Sequence, residues 1–176
     1  MTEAIFRSIY MDYKLRKFEE TDVESLVRHA NNYKIARFLT DGFPYPYTDE
    51  HAKAFIANAN DEKSPNLIFA IEVNGEAAGA VGVHPQSDIH RKNAEMGYWL
   101  AEPYWGHGIV TRVVKEVVQI AFEKFNINRV FARPFSSNPA SQRVLEKAGF
   151  RLEGRFENTL IKNGEYLDEL IYAVRK

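Results

Sequence analysis

The chain has 176 residues, of which 45% are hydrophobic. It carries 23 basic and 24 acidic side chains, for a formal net charge of −1, and no cysteine. This length suits one domain over residues 1–176 with a substantial core. The near-neutral charge and the lack of a basic stripe argue against nucleic acid as the main partner. The lack of cysteine excludes a disulfide framework, a cysteine-based metal site and a thiol nucleophile.

In chain order, Tyr13 to Phe18 alternates in character and predicts a first strand. Thr21, with Glu24 three residues on, forms a capping-box pattern that predicts a helix to about Asn31. Ile35 to Leu39 suggests a short second helical piece. Asp41 to Tyr47 holds two prolines and a glycine, which forbid a regular element. Thr48, followed by Asp49 and Glu50 in the first turn, starts a helix through about Ala59. Leu67 to Val73 and Ala77 to His84 are apolar strands joined at Asn74-Gly75, a two-residue hairpin signal. Ser87 to Lys92 is a polar loop, and Ala94 to Leu100 is the next strand.

Further on, apolar residues from Val110 through Val113, Val117 and Ala121 to Phe125 recur at helical spacing and mark a long helix with one broad apolar face. Arg129 to Arg133 is a strand. Asn138-Pro139 begins a helix that Gly149 ends as a left-handed cap. Phe150 to Glu157 and Glu165 to Val174 complete the chain as two strands turned at Asn163-Gly164. Strands separated by helices, with hairpins at both ends, imply a mixed α/β (α+β) sheet with helices on both faces. Met1 to Asp12 lacks the apolar core and cleavage site of a secretory signal. No apolar run is long enough to span a bilayer, so a cytoplasmic protein with no membrane partner is expected.

The chemistry gathers at Tyr104-Trp105-Gly106-His107-Gly108-Ile109-Val110-Thr111, between the strand ending at Leu100 and the long helix. A tight glycine turn before a fresh helix N-terminus leaves several backbone N–H groups without partners, and these favour phosphate. A side chain at Gly106 or Gly108 would restrict the turn and keep a pyrophosphate away from the backbone. The spacing matches neither the nucleoside-triphosphate nor the dinucleotide glycine fingerprint. The five histidines show no metal-ligand spacing, so no metal is expected.

Asn93 to Leu100, this glycine stretch, Asn138-Pro139-Ala140-Ser141 and Lys147-Ala148-Gly149-Phe150 together resemble a GNAT-type N-acetyltransferase of the RimJ/RimL branch. That branch acetylates protein N-termini and includes relatives acting on small amines. The resemblance runs from about Leu15 to Ala173. It implies a mostly antiparallel central sheet splayed open at its fourth and fifth strands, with acetyl-CoA wedged between them as co-substrate. Backbone groups of Tyr98, Trp99 and Leu100 would then hold the pantetheine arm, as an added strand would be held. The N–H groups of Gly106, His107, Gly108, Ile109, Val110 and Thr111, with the Thr111 hydroxyl, would hold the pyrophosphate. Asn138 would cap its helix and also bond the pantetheine.

For catalysis the resemblance suggests Glu95 as general base, directly or through a water, with a solvated strand-end carboxylate as the equal alternative. Many relatives place a tyrosine acid four residues before the Gly-Phe glycine, where this chain has Leu145. Ser141 matches the position that meets the CoA sulfur in this branch, and its implied role is a hydrogen bond to the leaving group. Arg112, Lys115, Arg143 and Lys147 are either CoA-phosphate contacts or solvated helix charges. The amine acceptor is expected against Phe38 to Tyr47 and Phe156 to Tyr166. Phe43, Tyr45 and Tyr47 there form either an aromatic wall or the packing of a short connection. Two functions follow: an N-acetyltransferase moving an acetyl group to a primary amine, as monomer or homodimer, or a non-catalytic acyl-CoA-binding sensor or subunit.

Overall fold

The computed structural model describes residues 11–176, so most of the Met1–Asp12 segment read for a targeting signal lies outside the described residues. The strands are β1 (Lys14–Arg16), β2 (Leu67–Val73), β3 (Glu76–Pro85), β4 (Asn93–Leu100), β5 (Arg129–Ala132), β6 (Arg151–Lys162) and β7 (Glu165–Arg175). The helices are α1 (Val23–Ala30), α2 (Tyr33–Ala36), α3 (Asp49–Ala59), α4 (Ile109–Lys124) and α5 (Pro139–Lys147). One seven-stranded sheet has the order β1-β2-β3-β4-β5-β7-β6. Every neighbouring pair is antiparallel except β4 with β5, which is parallel.

Helices cover both faces, as the alternation of elements implies. On one face α1, α2 and α3 bury Leu26, Ile35 and Ile56 against Ala70, Ala80 and Trp99. On the other, α4 and α5 pack Val113, Val117 and Leu145 against Val81, Val83, Met96 and Leu100. Strand alternation sends Trp99 to the first face and Met96 and Leu100 to the second, so β4 is buried from both sides. A bulge in the β2–β3 ladder beside Ile71 and Glu72 leaves Ala78 as the extra residue and keeps each apolar set facing its own core. Gly79 lets β3 approach β4 closely: a Cβ there would stand 2.4 Å from the Trp99 carbonyl oxygen.

Local signals set most boundaries. The Asn74-Gly75 and Asn163-Gly164 turns both have positive φ at their two central residues, as a tight hairpin turn requires. Thr48 caps α3 by accepting from the His51 N–H, and Asn138 caps α5 by accepting from the Ser141 N–H. Three expectations shift. The capping box expected at Thr21 and Glu24 forms instead at Glu19 and Asp22, around a 3-10 turn at Glu20–Asp22. Arg16 holds the Asp22 carboxylate from outside, with both guanidinium nitrogens at 2.7 Å, and so fixes where the helix begins. The second helical piece starts earlier than expected, at Tyr33, because Asn32 caps it through the Lys34 N–H at 2.9 Å. The final hairpin is longer than its apolar pattern, since β6 runs on to Lys162 through irregularities at Leu152/Gly154 and Phe156/Leu160.

Candidate active site

The β4–β5 ladder is short. Asn93, Ala94 and Glu95 pair with Arg129, Val130 and Phe131, and the pairing stops there. Beyond Ala132 the chain turns to β7: the Pro134 carbonyl accepts from the Leu170 N–H at 3.1 Å, and the Ser136 N–H donates to the Asp168 carbonyl at 3.0 Å. Pro134 has no N–H to offer β4. The edge of β4 from Met96 to Leu100 therefore faces an open cleft of about 510 Å³ rather than another strand.

At one end of this cleft, β4 passes through a 3-10 turn at Glu102–Tyr104 into the glycine turn and α4. Gly106 and Gly108 sit at φ 78° and 70°, a region that costs a residue with a Cβ but not glycine. Among the described residues, no backbone hydrogen bond outside the helices and strands uses the N–H groups of residues 106–111. The first such donor on α4 is Arg112, which reaches the Gly108 carbonyl at 3.3 Å. This leaves a row of donors with the positive end of a 16-residue helix behind them, the arrangement that holds a phosphate. Trp105 stiffens the turn by donating its indole N–H to the Leu100 carbonyl at 2.7 Å.

The opposite wall is the first turn of α5. Asn138 and Ser141 line the cleft there, and the Ser141 hydroxyl stands 2.9 Å from the phenol oxygen of Tyr98 on β4. Burial pushes the Tyr98 phenol up to about 12, against a small lowering from the Ser141 hydrogen bond. Leu145, where a tyrosine acid would stand, is fully buried in the core.

Of the other sequence candidates, residues 98–100, 106 and 108–111 line the cleft, while the side chain of His107 is exposed and does not. Glu95 is half-buried at the end of the paired part of β4, outside the cleft lining, with its carboxylate 3.2 Å from Arg133 Nε. Arg133 Nε also lies 3.3 Å from Glu169. His84 stands in register with Glu95 across the β3–β4 ladder, and burial holds its imidazole below the usual value against the opposing pull of Glu95.

The aromatic trio divides differently from the wall drawn on sequence. Tyr47 is buried in the helical core, Phe43 packs edge-on to Trp99 with centroids 5.7 Å apart, and Tyr45 is exposed beside Tyr33. None of the three lines the cleft; Ile35 of α2 and Phe38 and Leu39 just after it do. A proline-rich connection shows its turns in sequence but not the direction of its rings, because those depend on what α1 and α3 leave open. Among the helix cations, Arg143 and Lys147 line the cleft. Arg112 is turned away to the Met11 carbonyl and the Tyr13 ring. The Tyr98 side chain, the Trp105 indole and the Arg133 guanidinium were not legible as site groups, since each gains its meaning from a partner on another element.

Residues 13–151 match the model of the acetyltransferase (GNAT) domain family. The uncharacterized N-acetyltransferase YoaA of Bacillus subtilis (strain 168) is 28% identical over 166 residues, covering 92% of each chain. The spermidine N(1)-acetyltransferase of Escherichia coli (strain K12) is 26% identical over 87% of this chain and 80% of its own. Among solved structures, RimL, the ribosomal L7/L12 alpha-N-protein acetyltransferase in complex with coenzyme A, shares the fold with a TM-score of 0.81. It is 23% identical and covers 96% of both chains. A parallel strand pair that parts after three residues, beside a glycine turn with free N–H groups, is therefore the setting of an acetyl-CoA-dependent N-acetyltransferase, and this chain belongs to the GNAT acetyltransferase family.

Proposed function

We propose that this GNAT acetyltransferase is of the RimJ/RimL kind and moves the acetyl group of acetyl-CoA onto the primary amine of a protein N-terminus or a small amine, by direct attack in a ternary complex. The observation that carries this reading is the parting of β4 from β5 after Glu95, which opens a cleft lined both by the freed length of β4 and by the glycine turn at the head of α4. A pantetheine arm carries amides that pair with the open edge of β4 around Met96 and Tyr98, since the Trp99 carbonyl expected to join them is turned to Gly79 on β3, and the diphosphate then meets the turn at residues 106–111. The Leu100 carbonyl already accepts from Trp105, so pantetheine pairing centres on the residues before it.

Asn138 and Ser141 close the opposite side, with Ser141 toward the sulfur and Glu95 as the base for the incoming ammonium. The acceptor enters past Ile35, Phe38 and Leu39; residues 156–166 at the tip of the β6–β7 hairpin, also expected against the acceptor, are not among those lining the cleft. That tip is tied to α2 and to the connection after it, by Asn163 with Tyr33 at 3.3 Å and Lys162 with Asp41 at 2.7 Å. The names of relatives, spermidine on one side and a ribosomal protein on the other, define the two acceptor classes to compare. The proposed working form is a monomer or homodimer in the cytoplasm; no helix among the described residues is long and apolar enough to cross a membrane.

Thiol release from acetyl-CoA, measured against N-terminal peptides and small amines including polyamines, tests the proposal and identifies the acceptor. Acceptor-dependent release is the expected result. Binding of CoA without release across the whole panel would replace it with a binding role.

A further inference from the structure

Ser141 is the third residue of α5, and its backbone N–H is already taken by Asn138 Oδ1 at 3.2 Å. Its hydroxyl has one proton and two lone pairs, and a first-turn serine ordinarily turns them toward its own backbone. Here a second hydroxyl is brought to it from across the sheet gap. The Tyr98 phenol oxygen lies 2.9 Å from Ser141 Oγ and 3.4 Å from the Ser141 carbonyl. Both groups border the cleft, at the point where the open edge of β4 faces the start of α5.

We propose that Tyr98 is a positioning residue for acetyl transfer: its phenol donates to Ser141 Oγ and leaves the serine proton free to point into the cleft at the departing sulfur. The inference rests on the acetyltransferase reading and on Ser141 facing the thioester. During transfer the amine nitrogen bonds to the carbonyl carbon and the carbon–sulfur bond breaks. The electron pair of that bond stays on sulfur, and the proton shed by the nitrogen finally makes the thiol. What the chain must supply at the sulfur is a donor already aimed at the developing negative charge.

The phenol does not itself supply the proton. Burial sets it near 12, whereas an ordinary thiol titrates near 8.5, so giving its proton to the thiolate runs against an equilibrium of more than about a thousandfold. Tyr98 thus stays protonated across the working range and remains a donor to serine. Two hydroxyls in series also polarise one another, which strengthens the outer hydrogen bond.

The test compares Tyr98→Phe, Ser141→Ala and the double variant in the full chain. Tyr98→Phe keeps the ring and its packing, and thermal melting together with CoA calorimetry checks that fold and affinity are retained. Expected is a fall in kcat of about tenfold with KM for acetyl-CoA unchanged, the loss of one hydrogen bond toward a charge. The double variant should be no slower than Ser141→Ala alone, because both act through one proton.

A second readout needs no acceptor. The thiolate absorbance of bound CoA, titrated with pH, should show a thiol more acidic in the wild type than in Tyr98→Phe by about one pH unit, the same tenfold in another measure. If Ser141→Ala slows transfer while Tyr98→Phe changes neither kcat nor the thiol titration, Tyr98 only packs and the inference falls. Additive losses in the double variant would overturn it as well. Failure of the wild type to bind CoA would bring down the acetyltransferase reading itself, a result distinct from either.

Discussion

Arg133 Nε lies 3.2 Å from Oε1 of Glu95 and so ties the end of β5 to the last paired residue of β4, at the point where the two strands part. The pair holds the carboxylate in place at the mouth of the gap, and Glu169 shares the same guanidinium nitrogen at 3.3 Å. If Glu95 takes the proton from the incoming amine, Glu95→Gln keeps the shape and removes the base. The expected outcome is a fall in kcat of about a hundredfold or more with CoA affinity retained, read by thiol release and calorimetry. The ion pair is part-exposed and contributes at most about 1 kcal/mol to stability, so a loss of turnover reports on chemistry rather than on unfolding. Full turnover in Glu95→Gln would leave the residue as a strand-end ion pair.

The glycine turn gives a second prediction. Gly106 has φ 78° and nothing within 4 Å of where a Cβ would stand, so Gly106→Ala meets no clash, only backbone strain of about 1–2 kcal/mol. Relief of that strain rotates the N–H groups out of their row. CoA affinity should weaken about tenfold. Gly164, with φ 82° and equally open surroundings in the β6–β7 turn, is the control. Gly164→Ala should lose similar stability and no affinity. Equal affinity in the two variants would show that the turn does not hold the diphosphate.

Gly79 tests the closeness of β3 and β4. A Cβ there would meet the Trp99 carbonyl oxygen at 2.4 Å and Leu100 Cα at 3.1 Å, both backbone atoms that cannot move aside without shifting β4. Gly79→Ala should destabilise the fold by about 3 kcal/mol in urea unfolding, the upper end for overpacking, and weaken CoA binding with it. Gly97, on β4 opposite Gly82 and with nothing within 4 Å of its would-be Cβ, should accept alanine with little change in stability.

Asp22 carries a pH prediction. Burial alone would raise its carboxyl, but the Arg16 guanidinium and the Glu19 N–H together outweigh that and hold it below its ordinary value of 3.8. A carboxyl depressed in the folded state stabilises at every pH above its unfolded value, and that contribution is lost as pH falls through the folded value. Asp22→Asn should cost about 1–2 kcal/mol near neutral pH, the loss of charged hydrogen bonds, because Arg16 keeps Glu72 as a second partner. The gap between wild type and variant should close progressively below about pH 4. A gap that persists unchanged into strong acid would show that the ion pair is not what Asp22 contributes.

Much of the candidate site was legible because its parts are local. Gly106 and Gly108 before an apolar helix, and Asn138-Pro139 before Ser141, are short patterns whose hydrogen bonds close within one turn, and the structure keeps them as read. The less legible parts involve a choice among distant partners. Thr21 and Glu24 offered a good capping box, and Glu19 with Asp22 won because Arg16, on a neighbouring strand, grips Asp22. Phe43, Tyr45 and Tyr47 alternate along one connection, yet their surroundings sort them into sheet contact, surface and core.

By itself the sequence determined the order of elements, the two Asn-Gly hairpins, the apolar face of α4 and the turn that frees its first N–H groups. Each follows from the conformational limits and hydrogen-bonding needs of a few consecutive residues. Only the tertiary structure decided that β4 and β5 pair for three residues and then part, that Arg133 spans Glu95 and Glu169, and that Tyr98 meets Ser141. Those groups lie 38 and 43 residues apart for the Glu95–Arg133 and Tyr98–Ser141 contacts. They come together because the chain after β5 stays bonded to β7 while it parts from β4, and no local rule on either strand specifies which neighbour it will follow.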